Sequence, residues 1–114
     1  KYGGVATIIA LVCLFETNAG PMCLILVGAM IVGSIETSWA GQICPSVNNR
    51  QIRAVDYNSL ETPINLAKGE EAGRFKLGST AIILFGQGFI SLDTKLKVNH
   101  PIKMGETLGY IINN

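Results

Sequence analysis

The stretch Gly73-Arg74-Phe75-Lys76-Leu77-Gly78-Ser79-Thr80 contains a residue pair whose types and order could do chemistry on the chain itself. Gly78 can take backbone conformations closed to other residues. Ser79 carries a hydroxyl close to the carbonyl of the peptide bond before it. In a strained turn that oxygen can attack the Gly78 carbonyl, forming a C–O bond and breaking the C–N bond, so that the amide becomes an ester. Elimination of the ester cuts the chain and leaves dehydroalanine. Hydrolysis of that product gives a pyruvoyl group at the new N-terminus and releases ammonia. The attack needs a base, because a neutral serine is a weak nucleophile. A Gly-Ser pair by itself is usually an ordinary turn, so its surroundings must decide.

Few other side chains compete for a chemical role. His100, in Val98-Asn99-His100-Pro101, is the only histidine and reads as a surface turn residue. With one histidine and no CxxC spacing, the sequence offers no metal site. Cys13, Cys23 and Cys44 all lie in or beside apolar runs and read as buried, reduced thiols. Arg74 and Lys76 alternate on an expected strand; they could attract a phosphate, but solvated charge on an outer face is the simpler reading. Trp39 reads as a core or rim aromatic. Lys103-Met104 faintly resembles the modified lysine of biotin and lipoyl carriers, without the partners those carriers have on the N-terminal side.

The elements that must position Ser79 are short and extended. Of 114 residues 48% are hydrophobic and 15% charged, which excludes a disordered tail and allows one modest domain with a core. The net charge of +1 gives no global attraction to nucleic acid. Charge is uneven: residues 1–49 hold only Lys1, Glu16 and Glu36, so this part reads as the more buried. Val5–Phe15 and Met22–Val27 are apolar runs rich in β-branched and aliphatic residues. Between them Glu16-Thr17-Asn18-Ala19-Gly20-Pro21 supplies turn chemistry, which predicts a hairpin. The uncharged run Thr17–Ile35 is broken at Asn18–Pro21, which suits paired strands better than a membrane-spanning helix. Ala29–Trp39 reads as a half-buried strand, Gly41–Glu61 as an irregular surface excursion with a short strand at Gln51–Val55, and Thr80–Phe85 as a short buried strand. Gly86-Gln87-Gly88 turns the chain into another strand at Phe89–Leu92. Two segments share a grammar, Lys68-Gly69-Glu70 leading to Gly73 and Lys103-Met104-Gly105-Glu106 leading to Gly109. The fold class is therefore mainly β, a compact glycine-rich antiparallel domain of sandwich or barrel-like type with little helix.

The blocks around Ser79 resemble the phosphatidylserine decarboxylase family. Leu77-Gly78-Ser79-Thr80 matches that family's self-cleavage motif, and the likeness continues through Lys68–Lys76 and Ala81–Phe85. A second block is similar over Leu14–Thr17, Gly20–Met22, Ile25–Ala29, Ile31–Thr37 and Trp39–Gly41, and a third over Lys103–Gly109. It is weakest at Pro45–Thr62.

The resemblance implies cleavage between Gly78 and Ser79. Residues 1–78 would close a larger β chain and residues 79–114 would open a smaller α chain of the same precursor. Ser79 would become a covalent pyruvoyl cofactor that forms a Schiff base with the amine of phosphatidylserine and acts as electron sink when CO₂ leaves, giving phosphatidylethanolamine. The family activates its serine with an Asp and a His upstream of the region matched here, and His100 does not match the family's catalytic histidine. Lys at position 1 and the absence of signal-peptide logic in the run behind it predict that the sequence begins inside a larger proenzyme. The family's membrane-binding helices would lie before it, with the enzyme peripheral on the cytoplasmic side of the cell membrane. On this reading the present chain alone is inactive. Two rivals share part of the pattern: a pyruvoyl decarboxylase of a soluble amino acid, and a non-catalytic β-sandwich carrier or binding module.

Overall fold

A computed structural model describes residues 8–29, 35–43, 54–59, 63–76 and 79–112. It is built from eight strands and one 3-10 turn, with no α-helix among the described residues. In chain order the strands are β1 (Ile8–Thr17), β2 (Gly20–Ala29), β3 (Ile35–Thr37), β4 (Gly41–Gln42), β5 (Gly73–Phe75), β6 (Thr80–Phe85), β7 (Ile90–Leu92) and β8 (Gly109–Ile111). The β2–β6, β3–β4, β3–β5 and β7–β8 ladders are antiparallel, in agreement with a mainly β class. The chain divides into two compact units, one formed by Lys1–Ile9 with Gly28–Ser79, the other by Ala10–Val27 with Thr80–Asn114.

In the second unit the expected hairpin is present. Asn18 and Ala19 turn β1 into β2, and Thr17 secures the turn: its hydroxyl donates to the Gly20 carbonyl at 2.6 Å and accepts from the Ala19 amide at 3.0 Å. The sheet order is β1-β2-β6, and Met22 to Val27 face Phe85 to Thr80 in strict register. Cys13, Ala19 and Leu26 are buried here. Thr80–Phe85 forms the expected strand but is not the buried strand that its apolar run predicts. Thr80 to Leu84 are exposed, with Leu84 at 52%. The physical reason is position: among the described residues β6 lies at the edge of its sheet and pairs only with β2. An apolar β-branched run favours a strand, whereas burial needs a second layer over it.

The first unit holds the sheet β4-β3-β5. Ile35 is fully buried and Thr37 is 2% exposed. The Thr37 hydroxyl accepts from the Ala40 amide at 3.1 Å, which satisfies a buried polar group and starts the turn that ends β3. The half-buried strand expected over Ala29–Trp39 is thus β3, ending at Thr37, with residues 30–34 outside the described residues. The excursion expected from Gly41 begins two residues later, because Gly41–Gln42 pairs with β3 as β4. Of the strand expected at Gln51–Val55, residues 51–53 lie outside the described residues, while Ala54 and Val55 are irregular and lead into a 3-10 turn at Tyr57–Ser59. Phe89 precedes β7 rather than opening it.

The repeated grammar builds the same device twice. The Glu70 amide donates to the Ala67 carbonyl at 3.0 Å and the Glu106 amide to the Lys103 carbonyl at 3.1 Å, closing two four-residue turns. Each has glycine in its third position, Gly69 and Gly105, at φ of 82° and 85°. Four residues on, Gly73 and Gly109 each begin a strand where a Cβ would meet partner backbone, at 2.6 Å from the Glu36 carbonyl oxygen and 2.5 Å from that of Ser91. Even the closing bonds correspond, Ser38 amide to Ala72 carbonyl at 2.9 Å and Asp93 amide to Leu108 carbonyl at 2.8 Å. One copy, β3 with β5, belongs to the first unit, and the other, β7 with β8, to the second.

Candidate functional site

Ser79 stands immediately before β6 in the chain and is exposed. Leu77 and Gly78 lie outside the described residues. The β2–β6 register pairs Val27 with Thr80, so one further step sets Gly28 opposite Ser79. Opposed residues of an antiparallel pair point to the same face. The structure bears this out: the Ser79 hydroxyl oxygen lies 3.1 Å from where a Cβ on Gly28 would stand. Gly28 is buried. The same position is 3.4 Å from Cγ1 and Cδ1 of Ile35. The space beside the Ser79 hydroxyl is therefore bounded by a bare backbone at Gly28 and by a fully buried aliphatic side chain.

The same aliphatic residue also anchors β5, the nearest strand upstream in the chain. Ile35 pairs with Phe75, the last residue of β5, so only Lys76, Leu77 and Gly78 lie between a paired strand and Ser79. Glu36 pairs with Arg74 on the same ladder. Arg74 makes a two-pronged contact with Glu71, Nε to Oε1 at 2.7 Å and Nη2 to Oε2 at 2.8 Å. Its hydrogen bond holds the Glu71 carboxyl below the usual carboxylate range. Glu71, helped by the charge of Glu36, raises the Arg74 guanidinium. With Thr37, Ser38 and Gly73 these three charged residues line a shallow surface cleft. Two carboxylates already attend Arg74, which favours solvated charge over phosphate capture.

The other residues singled out from sequence fall elsewhere. His100 is exposed in a turn closed by its own amide on the Lys97 carbonyl at 2.9 Å. Cys13 is buried, and its thiol is pushed up by that burial and then by Cys23. Cys23 is half-buried and Cys44 lies outside the described residues. Trp39 is half-buried. Among the described residues no group of three metal-ligating side chains converges. No helix there is long and apolar enough to cross a membrane. Sequence reasoning missed Gly28, which had no role of its own within the block Ile25–Ala29. The signal was available in principle: pairing Met22–Val27 against Thr80–Phe85 in antiparallel register leaves Gly28 facing Ser79.

A family model for phosphatidylserine decarboxylase matches residues 10–110, almost the entire chain. The chain belongs to the phosphatidylserine decarboxylase family. Among curated relatives, the phosphatidylserine decarboxylase proenzyme of Pseudomonas fluorescens is 52% identical over 99 residues, covering 86% of this chain and 34% of its own length. The Bordetella avium proenzyme is 53% identical over 103 residues, covering 90% of this chain and 34% of its own. That of Pseudomonas aeruginosa is 50% identical over 99 residues. The chain thus spans about a third of the length of the curated relatives it matches. No solved structure matches it. The family resemblance read from the sequence blocks agrees with this membership.

Proposed function

We propose that the proenzyme containing this chain decarboxylates phosphatidylserine to phosphatidylethanolamine, after cutting itself between Gly78 and Ser79. The observation that carries the reading is the setting of Ser79, whose hydroxyl faces the open position of Gly28 within the family's motif. A hydroxyl attacking the carbonyl behind it must swing about its Cα–Cβ bond, and a bare glycine opposite leaves room for that movement. Burial of Ile35 keeps one wall of the space apolar and fixed.

The residues present fit a serine-derived pyruvoyl group. Ser79 is the residue whose carbon skeleton would become the group, and the space opposite Gly28 would accommodate its planar carbonyl. Bound covalently there, the group supplies an electron sink for the charge left when CO₂ departs. Gly78 would end the larger chain and Ser79 would begin the smaller one. The base that activates Ser79 would come from the part of the proenzyme preceding this chain, as would its membrane-binding helices. A lipid substrate favours a peripheral enzyme on the cytoplasmic face of the cell membrane. The family membership favours the lipid over a soluble amino acid substrate, and a lyase over a passive carrier module.

The test is the intact mass of the full-length proenzyme after expression, alone and with Ser79→Ala. The parent should appear as two chains, the smaller carrying a pyruvoyl N-terminus, and should release CO₂ from phosphatidylserine. Ser79→Ala should remain one chain with no activity. Two chains and CO₂ release from Ser79→Ala would end the assignment.

A further inference from the structure

The segment between β7 and β8 is a chain of turns. It is closed at its neck by the Asp93 amide on the Leu108 carbonyl and braced within by Leu96 on Asp93, His100 on Lys97 and Glu106 on Lys103. Asn99 takes a φ of 65°, which only a few side chains tolerate readily, so the tip has a defined shape. Its side chains are unusual for a surface loop. Val98 is 92% exposed, Ile102 is 57% exposed, and Met104 is fully exposed. Lys95, Lys97 and Lys103 alternate with them, all exposed, and no acidic residue occurs between Asp93 and Glu106. Lys95 stays near Asp93 at 3.9 Å, while Lys97 and Lys103 have no ion pair among the described residues.

Single exposed apolar side chains are ordinary on a protein surface, but Val98, Ile102 and Met104 stand together on one ordered loop, and such a group marks a surface that something can cover. Here the apolar tips are interleaved with lysines rather than gathered into one smooth patch. A protein groove of ordinary composition would have to desolvate those ammonium groups. A bilayer surface would not: apolar side chains enter the acyl boundary while lysine stems reach back to anionic headgroups. We propose that the loop Lys95–Met104 is a membrane-docking element that inserts Val98, Ile102 and Met104 into an anionic phospholipid surface, with Lys97 and Lys103 on the headgroups. The inference goes beyond the proposed decarboxylation and rests on it only for the choice of lipid substrate. It assigns a lipid contact to this C-terminal part of the proenzyme.

The test uses the full-length proenzyme in three forms: unchanged, Lys97→Glu with Lys103→Glu, and Val98→Asp with Met104→Asp. Flotation is measured with vesicles of phosphatidylcholine alone and of phosphatidylcholine with phosphatidylglycerol, an anionic lipid that is not the substrate. Two lysines at such a surface are worth about thirtyfold in affinity. The unchanged protein should prefer the anionic vesicles and lose that preference in salt, and each double variant should bind them at least tenfold more weakly, on the order of that estimate. On vesicle phosphatidylserine the variants should show a raised KM at unchanged kcat. On dispersed short-chain phosphatidylserine both constants should stay as in the parent. Unaltered flotation of both variants overturns the proposal. So does equal loss of activity on dispersed and vesicle substrate, or failure to cleave, since either places the loop against the rest of the proenzyme. If the unchanged proenzyme neither cleaves nor decarboxylates, the enzymatic reading fails while flotation still reports on the loop.

Discussion

Replacing Gly28 tests the geometry around Ser79 most directly. A methyl on Gly28 would sit 3.1 Å from the Ser79 hydroxyl oxygen and 3.4 Å from two carbons of Ile35. The first distance is a few tenths of an ångström too short for comfort, and the second is ordinary contact. Ile35 is fully buried and has little freedom to withdraw, so the hydroxyl must give way. A serine pushed about 30° from its rotamer costs roughly 0.5–1.5 kcal/mol, or about two- to twelvefold in rate if it is paid on the way to attack. Gly28→Ala in the full-length proenzyme should therefore slow self-cleavage by about that factor. The fold should hold, because alanine relieves glycine's entropy cost in a strand by about 0.5–1 kcal/mol. Gly28→Val places a further methyl in the same space and should stop cleavage, with an overpacking cost of roughly 1–3 kcal/mol. The assay is the appearance of the two chains over time by intact mass, beside a denaturation midpoint for each variant. Wild-type cleavage by Gly28→Val would show that the hydroxyl does not use this space, and the positioning role of Gly28 would be abandoned. Slow cleavage that merely tracks a lowered midpoint would refute it equally.

The buried Cys13 thiol is held above its ordinary range by desolvation first and by Cys23 second. The folded state therefore keeps a proton that the unfolded chain has lost, so the Cys13 contribution is intact below about pH 8.5 and falls as pH rises beyond it. Cys13→Ala should flatten the alkaline limb of a stability–pH profile, and an unchanged limb would count against burial of the thiol. Glu71 is lowered by its hydrogen bond to Arg74, so its contribution is present above the ordinary carboxylate range and disappears as pH falls through the lowered value. Both partners are solvent-exposed, so Arg74→Ala should leave the neutral-pH denaturation midpoint unresolved from the parent, and a clear drop would mean that the pair is more than a screened surface contact. His100→Ala should leave decarboxylation of dispersed short-chain phosphatidylserine intact, whereas a loss of about a hundredfold or more would identify a proton-transfer role.

The sequence by itself determined the local alphabet of this protein. Apolar β-branched runs broken by Asn-Ala-Gly-Pro make a hairpin wherever they are placed, because turn residues and strand residues differ in the backbone angles they tolerate. The two Gly-Glu turns were legible for the same reason, as was the Leu77–Thr80 motif, whose chemistry belongs to two adjacent residues. Tertiary structure decided what depends on partners distant in sequence. Thr80–Phe85 is a strand by composition, but its exposure follows from lying at a sheet edge beside β2. Gly41–Gln42 carries no strand signal and pairs only because β3 offers it a ladder. The duplication of β3–β5 in β7–β8 shows in the spacing of Gly73 and Gly109, yet the collision that demands glycine there comes from the carbonyls of Glu36 and Ser91. Gly28 and Ser79 are separated by fifty residues and meet through strand register, a relation no local pattern encodes.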